Sequence, residues 1–457
     1  MEKKKGSLKS TIVVSLTNYL DAGAIVAGAS GLTLWQSYLG LTEGNLGWLN
    51  AISANCFGAA IGAIIGGFLA DKYGRKTIYT YNMLVYMLGI LMIMFTVNFP
   101  MLLLGFLITG ISVGAGVPAS WTYISENSEV GNRGRNIGIS QFAWGVGPAI
   151  ILILGMLLAP GKEGESAGVL FGLVQKFAAL FLDGNASVAA VNVFSSRIIF
   201  GSLFIVAFIA WILQRRLDES KDWEAAKLAQ TQGTEKQPSA FASFGKLFTN
   251  KVNVRTILFL AGIYLTWNFV ASVMGFFQPH IYETAGGLSN AQANMLSAIQ
   301  WLIIVAVTYF GFAMLVDKVN QRWLYFFGVG IGVVAWLILV FVGIKNQTAL
   351  WIFTILWGIQ GGISVQAFYA LWASELFPAK YRAAAQGVMF FIVRGASAIW
   401  GLVFVHIYGR NGEGFYLAAY IMIGLLLVAL LIGTIWTPQT RGKTLQQITR
   451  ERYGDEI

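Results

Sequence analysis

Two charged residues stand where charges are expensive. Arg394 sits in the run "VMFFIVRGASAIWG" (388–401) and Asp21 in "NYLDAGAIVAGA" (18–29), each surrounded by apolar and small side chains. A guanidinium keeps its proton at any ordinary pH and presents a planar fork of donors that matches carboxylate, sulfonate or phosphate geometry. A carboxyl group can take up or release a proton. Three kinds of chemistry follow. Arg394 binds an anionic group of a solute; or it pairs with Asp21, so that protonation of Asp21 alters the pair; or the two form a fixed structural ion pair. The first is the leading reading and the second the runner-up, and these two can coexist.

Other acids and bases recur in order along the chain. "GGFLADKYGRK" (66–76) supplies Asp71 and Arg75, and "YISENSEVGNRGR" (123–135) supplies Glu126 and Arg133. Later, "GFAMLVDKVNQRW" (311–323) supplies Asp317 and Arg322, and "WASELFPAKYRAA" (372–384) supplies Glu375 and Arg382, with the same Glu-to-Arg spacing as before. Two signatures repeated in the same order imply a duplicated unit. Carboxylates and guanidiniums at such positions can lock two halves together in one conformation and release them in another. A role as interfacial anchors is the simpler alternative for any one motif, and the fourfold match counts against it.

The elements that must position these residues follow from composition. The chain has 457 residues, 56% hydrophobic and only 11% charged, against roughly 25% charged in soluble domains. Lipid is therefore the bulk solvent for most of it. Twelve apolar runs of about 20 residues recur, each long enough to cross a bilayer as a helix, among them 12–38, 46–70, 291–316, 349–374 and 384–408. They lack the alternation of barrel strands, and lipid-exposed backbone must satisfy its own hydrogen bonds. The net charge of +10 is gathered at Lys3, Lys4, Lys5 and Lys9 and around Arg75, Arg133, Arg216, Arg322, Arg382 and Arg441, all on one side of the predicted topology. That asymmetry places both termini in the cytoplasm and argues against a nucleic-acid face.

The lysine-rich start runs into a segment too long for a signal-peptide core, so the first span is expected to stay. Cys56 is the single cysteine, and His280 and His406 are isolated. No disulfide, metal cluster, phosphate loop or nucleophile-and-base pair is expected, hence no cofactor and no enzyme. Glycine runs such as "GAAIGAIIGG" (58–67) lie inside spans with no strand before them and suit close helix packing.

Two connections are long. The stretch 159–197 holds an apolar patch at 168–182 that reads as an amphipathic piece at the outer interface or over the outer mouth. The charged stretch 215–254 divides the chain, with a helical Ala-rich first part and a flexible "TQGTEKQPS" part. The expected organisation is a first six-helix bundle at 1–214, the linker at 215–254, a second bundle at 255–436 and a cytoplasmic tail at 437–457.

At this point the chain resembles a major facilitator superfamily transporter of the sugar porter type. The residues that carry the resemblance are "LADKYGRK" (69–76), "YISENSEVGNRGR" and "SELFPAKYR" (374–382). "DESKDW" (218–223) is similar to the family's Pro-Glu-Ser-Pro-Arg-Trp, and "TPQTRGKTLQQI" (437–448) to its Pro-Glu-Thr-Lys-Gly-Lys-Thr-Leu ending. The resemblance implies an all-α integral membrane fold of two pseudo-repeated six-helix bundles around a central site that opens alternately to either side. It implies a sugar-binding role for Gln141 and proton coupling at Asp21. Departures are equally informative. The arginine that partners this aspartate falls on Phe106, the glutamine pair of the seventh segment on Thr266 and Trp267, the Gly-Pro of the tenth on Gln366 and Ala367, its sugar-stacking tryptophan on Ala370, and a tryptophan of the eleventh on Arg394. These departures count against a neutral hexose.

Arg394 lies about 15 Å from the membrane surface at 1.5 Å per residue, where an arginine costs on the order of 3 kcal/mol, and Asp21 lies at comparable depth. Other groups expected to reach the cavity are Asn18, Gln141, Trp267, Asn268, Gln300, Gln366 and Tyr369, few polar anchors among aromatic walls. The chain thus reads as a secondary active transporter of the inner or plasma membrane, a proton symporter acting as a monomer on a small hydrophilic organic solute. A sugar-like or organic acid held by Arg394 leads, a neutral sugar or polyol is the alternative, and a non-transporting solute sensor is a remote third.

Overall fold

The computed structural model describes residues 2–52, 56–161, 167–232, 247–288, 290–409 and 412–454, and among these the secondary structure is helical, with no strand. A membrane-spanning helix satisfies its backbone N–H and C=O groups within the segment, so this is the form hydrocarbon demands. The first bundle contains α1 (Glu2–Leu39), α2 (Glu43–Ile52), α3 (Phe57–Tyr73), α4 (Arg75–Met94), α5 (Phe99–Glu126), α6 (Arg133–Leu158), the short α7 (Phe171–Ala178) and α8 (Val188–Gln214). After α9 (Lys221–Gln232), the second bundle contains α10 (Lys251–Thr284), α11 (Asn290–Val307), α12 (Gln321–Val342), α13 (Gln347–Gly362), α14 (Val365–Glu375), α15 (Arg382–Tyr408) and α16 (Phe415–Ile435); α17 (Leu445–Tyr453) follows.

Eleven helices among the described residues are long and apolar enough to cross a membrane. The run expected at 46–70 is carried by α2 and α3, on either side of positions 53–55, which lie outside the described residues. Two other runs are irregular. The run expected at 291–316 ends in a π-helical turn, Thr308–Ala313, after α11. The run expected at 349–374 breaks after Gly362, and Ser364 restarts it by accepting a hydrogen bond from the Ala367 N–H at 3.4 Å. Helix ends at the water boundary are capped by Asn98, Ser187, Asn250, Asn320 and Asn346, each accepting from a backbone N–H that has no partner inside its helix.

The amphipathic patch at 168–182 holds α7, whose Phe177, with Phe181 just beyond the helix, packs on Phe194 of α8. The Ala-rich linker segment is helical as α9, while 233–246, with most of "TQGTEKQPS", lies outside the described residues.

Glycines let helices approach to backbone contact. A Cβ on Gly62 would lie 1.9 Å from the Ile111 carbonyl oxygen, and one on Gly114 would lie 1.9 Å from that of Ala59, so α3 and α5 touch without side chains between them. The other flank of α3 meets α15 of the second bundle. There a Cβ on Gly67 would lie 2.6 Å from the Ala383 oxygen, and one on Gly387 would lie 2.3 Å from that of Ala63. The repeat-related contact joins α6 to the end of the π turn, where a Cβ on Gly138 would lie 2.5 Å from the Ala313 Cβ. Small residues at such crossings replace the hydrophobic drive that lipid does not supply.

Gly114→Ala should therefore lower the thermal unfolding midpoint in detergent, since overpacking costs about 1–3 kcal/mol. Gly330→Ala, with nothing within 4 Å of the new methyl, should leave it unchanged. Equal midpoints for the two variants would contradict the backbone-contact packing.

Candidate functional site

The acids and bases of the repeated motifs meet on one face of the molecule, and they exchange partners between the bundles. Glu126 Oε1 pairs with Arg382 Nη1 at 2.6 Å and with Arg75 Nη2 at 3.2 Å, and Glu375 Oε1 pairs with Arg133 Nη1 at 2.7 Å. All five side chains are almost wholly buried. The two remaining carboxylates cap helices of the opposite bundle. Asp71 accepts from the N–H groups of Ala383 and Ala384 in the first turn of α15, at 3.3 and 2.7 Å, and is bridged by Arg75 at 3.1 Å. Asp317 accepts from Gly134 and Arg135 in the first turn of α6, at 3.1 and 2.7 Å. Unsatisfied N–H groups and the positive end of the helix dipole favour a carboxylate there. Arg322 is exposed and stands outside this network.

Connecting segments strap the same face. Glu219 accepts from the N–H groups of Arg75 and Lys76 at 3.1 Å each, Ser220 Oγ donates to Glu126, and Trp223 Nε1 donates to the Asp71 carbonyl at 2.8 Å. From the tail, the Lys443 carbonyl accepts from Arg133 Nη2 at 2.6 Å. Burial raises the Glu219 and Asp317 carboxyls above the ordinary carboxylate range, against N–H donors that lower them. Docking thus increases their proton affinity, and their contribution to holding this face shut fades as pH rises through the docked-state values.

Directly above the gate lies a floor of aromatic side chains drawn from both bundles. Asn18 accepts from Trp121 Nε1 at 2.8 Å, and Trp121 meets Tyr369 edge-on at 6.0 Å. Tyr369 stacks on Tyr264 at 4.3 Å. Asn18 and Tyr369 therefore belong to this floor and fall outside the cavity lining.

The cavity above it, between the bundles, is lined by Arg394, Gln141, Trp267, Asn268, Gln300 and Gln366 of the expected set. Gln366 Nε2 donates to Gln141 Oε1 across the bundle boundary at 3.1 Å, and Asn268 Nδ2 donates to Ser397 at 2.7 Å. Gln300 forms a reciprocal amide pair with Gln278, at 2.7 and 3.1 Å. Trp144, Gln278, Trp301 and Gln360 also line the cavity but are absent from the set expected from sequence. Trp144 follows Gln141 at helical spacing and faces the same way, and Gln278 directly precedes Pro279.

Arg394 is 3% exposed, with its guanidinium 4.7 Å over the Phe390 ring. It faces the cavity, as a permanent charge at this depth must. Asp21 is 1% exposed and reaches the cavity through Trp144, whose Nε1 donates to Oδ2 at 3.0 Å, while Oδ1 has no hydrogen-bond partner. Among the described residues no Asp21–Arg394 ion pair within 4.0 Å is formed.

Two helical bundles, joined by reciprocal ion pairs on one face and enclosing a polar cavity between them, are the architecture of a multi-pass membrane transporter. The chain belongs to the Major Facilitator Superfamily, whose family model matches residues 11–402. It is 40% identical over 451 residues to the minor myo-inositol transporter IolF of Bacillus subtilis, covering 98% of this chain and 94% of that protein. Among solved structures it is similar to the proton:xylose symporter XylE of E. coli bound to 6-bromo-6-deoxy-D-glucose, with a TM-score of 0.77 at 18% identity, covering 98% of this chain and 99% of the other. It is also similar to FucP in the outward conformation, with a TM-score of 0.71 at 14% identity over 94% and 99% of the two chains. The last two likenesses bear on the fold alone, which is the one expected from sequence.

Removing one partner from a buried ion pair leaves an uncompensated charge and costs about 3–5 kcal/mol. Spin labels on exposed Glu129→Cys and Lys318→Cys, in a Cys56→Ser background, report the separation of the bundles at the gate. Arg133→Ala combined with Arg382→Ala should add a longer-distance population; an unchanged distance distribution would show that these pairs do not hold the gate.

Proposed function

We propose that this chain is a proton-coupled transporter of a neutral cyclic polyol or sugar, in which Arg394 serves Asp21 and not an anionic solute. The observation that carries this reading is the chemistry of the cavity wall. Six amide side chains line it, Gln141, Asn268, Gln278, Gln300, Gln360 and Gln366, against one formal charge. Several of its buried polar atoms, including Gln141 Nε2, Trp267 Nε1 and Ser272 Oγ, have no hydrogen-bond partner in the protein. Hydroxyl groups both donate and accept, so a polyol can satisfy amide N–H and C=O groups alike, whereas a carboxylate group only accepts. The similarity to a myo-inositol transporter supports the same solute class.

Coupling rests on Asp21. A buried carboxyl with one oxygen unbonded is equipped to carry a proton, and the indole that binds its other oxygen is itself a cavity wall. Proton and solute sites therefore share a side chain. The bundles at 1–214 and 255–436 rock as units about the cavity, the chain acts as a monomer, and both termini face the cytoplasm, as the basic residues of the gate face favour. A second reading, an anionic solute on Arg394, draws support from the place of that guanidinium in the lining.

Proteoliposome uptake separates these readings. Labelled myo-inositol should accumulate against its gradient when the outside is acidic, and labelled glucuronate should not; the opposite result would replace the polyol by the acid. Asp21→Asn should retain exchange of internal for external inositol while losing uphill accumulation. Gln141→Ala should raise the KM for exchange about tenfold, the weight of one hydrogen bond to a neutral solute.

A further inference from the structure

Gln360 occupies the last turn of α13, immediately before the break that separates α13 from α14. It lines the cavity, is 1% exposed, and neither its amide oxygen nor its amide nitrogen has a hydrogen-bond partner in the protein. A buried amide unpaired at both ends is destabilising, and such groups call for an explanation outside the folded chain. The surroundings hold this one in place. A Cβ on Gly332 of α12 would lie 2.7 Å from Gln360 Cγ and 3.3 Å from the Trp357 ring, so the glycine makes room for the stem of the side chain and the indole closes beside it.

The other amides of the second bundle are committed. Gln278 and Gln300 bond each other, Gln366 donates to Gln141, and Asn268 donates to Ser397. Gln360 differs in offering a donor and an acceptor side by side. Two adjacent hydroxyl groups complement that edge, one accepting from the NH2 and the other donating to the C=O.

We infer that Gln360 is a specificity-determining residue that reads a vicinal diol of the transported solute. This rests on the polyol reading and adds to it the residue that discriminates among polyols. A ring face that presents no adjacent pair of hydroxyls to the α13 wall forfeits at least one of the two bonds.

Gln360→Leu keeps the volume and removes both polar atoms. Without solute it should unfold in detergent at a temperature equal to or above that of the native protein, because an unsatisfied amide has been taken away. In inositol exchange its KM should rise about tenfold for the lost hydrogen bonding. Competition by a set of monodeoxy-inositols supplies the decisive comparison. In the native protein at least one analogue should compete about tenfold less well than myo-inositol, and in the variant that analogue and myo-inositol should compete equally. A variant that discriminates among the analogues as the native protein does, or that unfolds at a markedly lower temperature, overturns the assignment while leaving the polyol reading intact. A native protein that exchanges no inositol and no neutral sugar overturns both. Gln360→Met provides the same comparison should the leucine variant fail to reach the membrane.

Discussion

Each half of the molecule carries a buried acid that a buried base of the other half meets, and the remaining architecture depends on that exchange. Glu126 finds Arg382 and Glu375 finds Arg133, so the bundles must meet in register or leave both sets to water. A buried carboxylate without its partner costs several kcal/mol, so arrangements that bury one set without the other are disfavoured. The glycines at 67 and 387 are part of the same device, because backbone contact between α3 and α15 is what brings Asp71 to the first turn of α15.

The twofold relation that organises the gate is lost in the cavity. The α6 side contributes Gln141 and, through Trp144, the route to Asp21. Most of the lining amides come from the second bundle, together with the π turn and the α13–α14 break. Irregular backbone inside a membrane persists where it lines a cavity, since the groups it frees can be satisfied there. The buried carboxyl thus belongs to the first bundle and most of the amide wall to the second. Duplication explains the common gate; divergence after it explains why the two walls differ.

Much of this was legible in the chain. Hydropathy marked the segments, the repeated motifs marked acids and bases that meet on one face, and the family resemblance pointed to Gln141, which lines the cavity. The partner exchange was not legible, because equal Glu-to-Arg spacing within each motif says nothing about pairing over 256 residues of separation, as between Glu126 and Arg382. Arg322 matched by position, yet its exposed side chain takes no part in the network, since Asp317 is met by backbone N–H groups instead. Trp144 and Trp301 read as core aromatics, and Gln360 sits in "GIQGG", a stretch that reads as helix packing. Continuous apolar runs also hid the break near Ser364, which appears only where a serine side chain takes over a helix start.

The placement of Arg394 ties the remaining parts together. Its guanidinium lies over Phe390, and both Asp21 and Tyr264 are within its electrostatic reach. Tyr264 stacks on Tyr369, which meets Trp121 of the other bundle, and Trp121 is held by Asn18, three residues before Asp21. Position 18 therefore touches the floor through a hydrogen bond, and position 21 acts on it at a distance, through the charge of a cation that lies on an aromatic ring. With proton coupling at Asp21, neutralising that carboxyl changes the field on a cation whose neighbours form the contact between bundles. A direct salt bridge would bind the two charges to each other and spend that change locally. On the proposed coupling, the two separated charges, with aromatic rings between the cation and the bundle boundary, would pass it to the contact between the bundles.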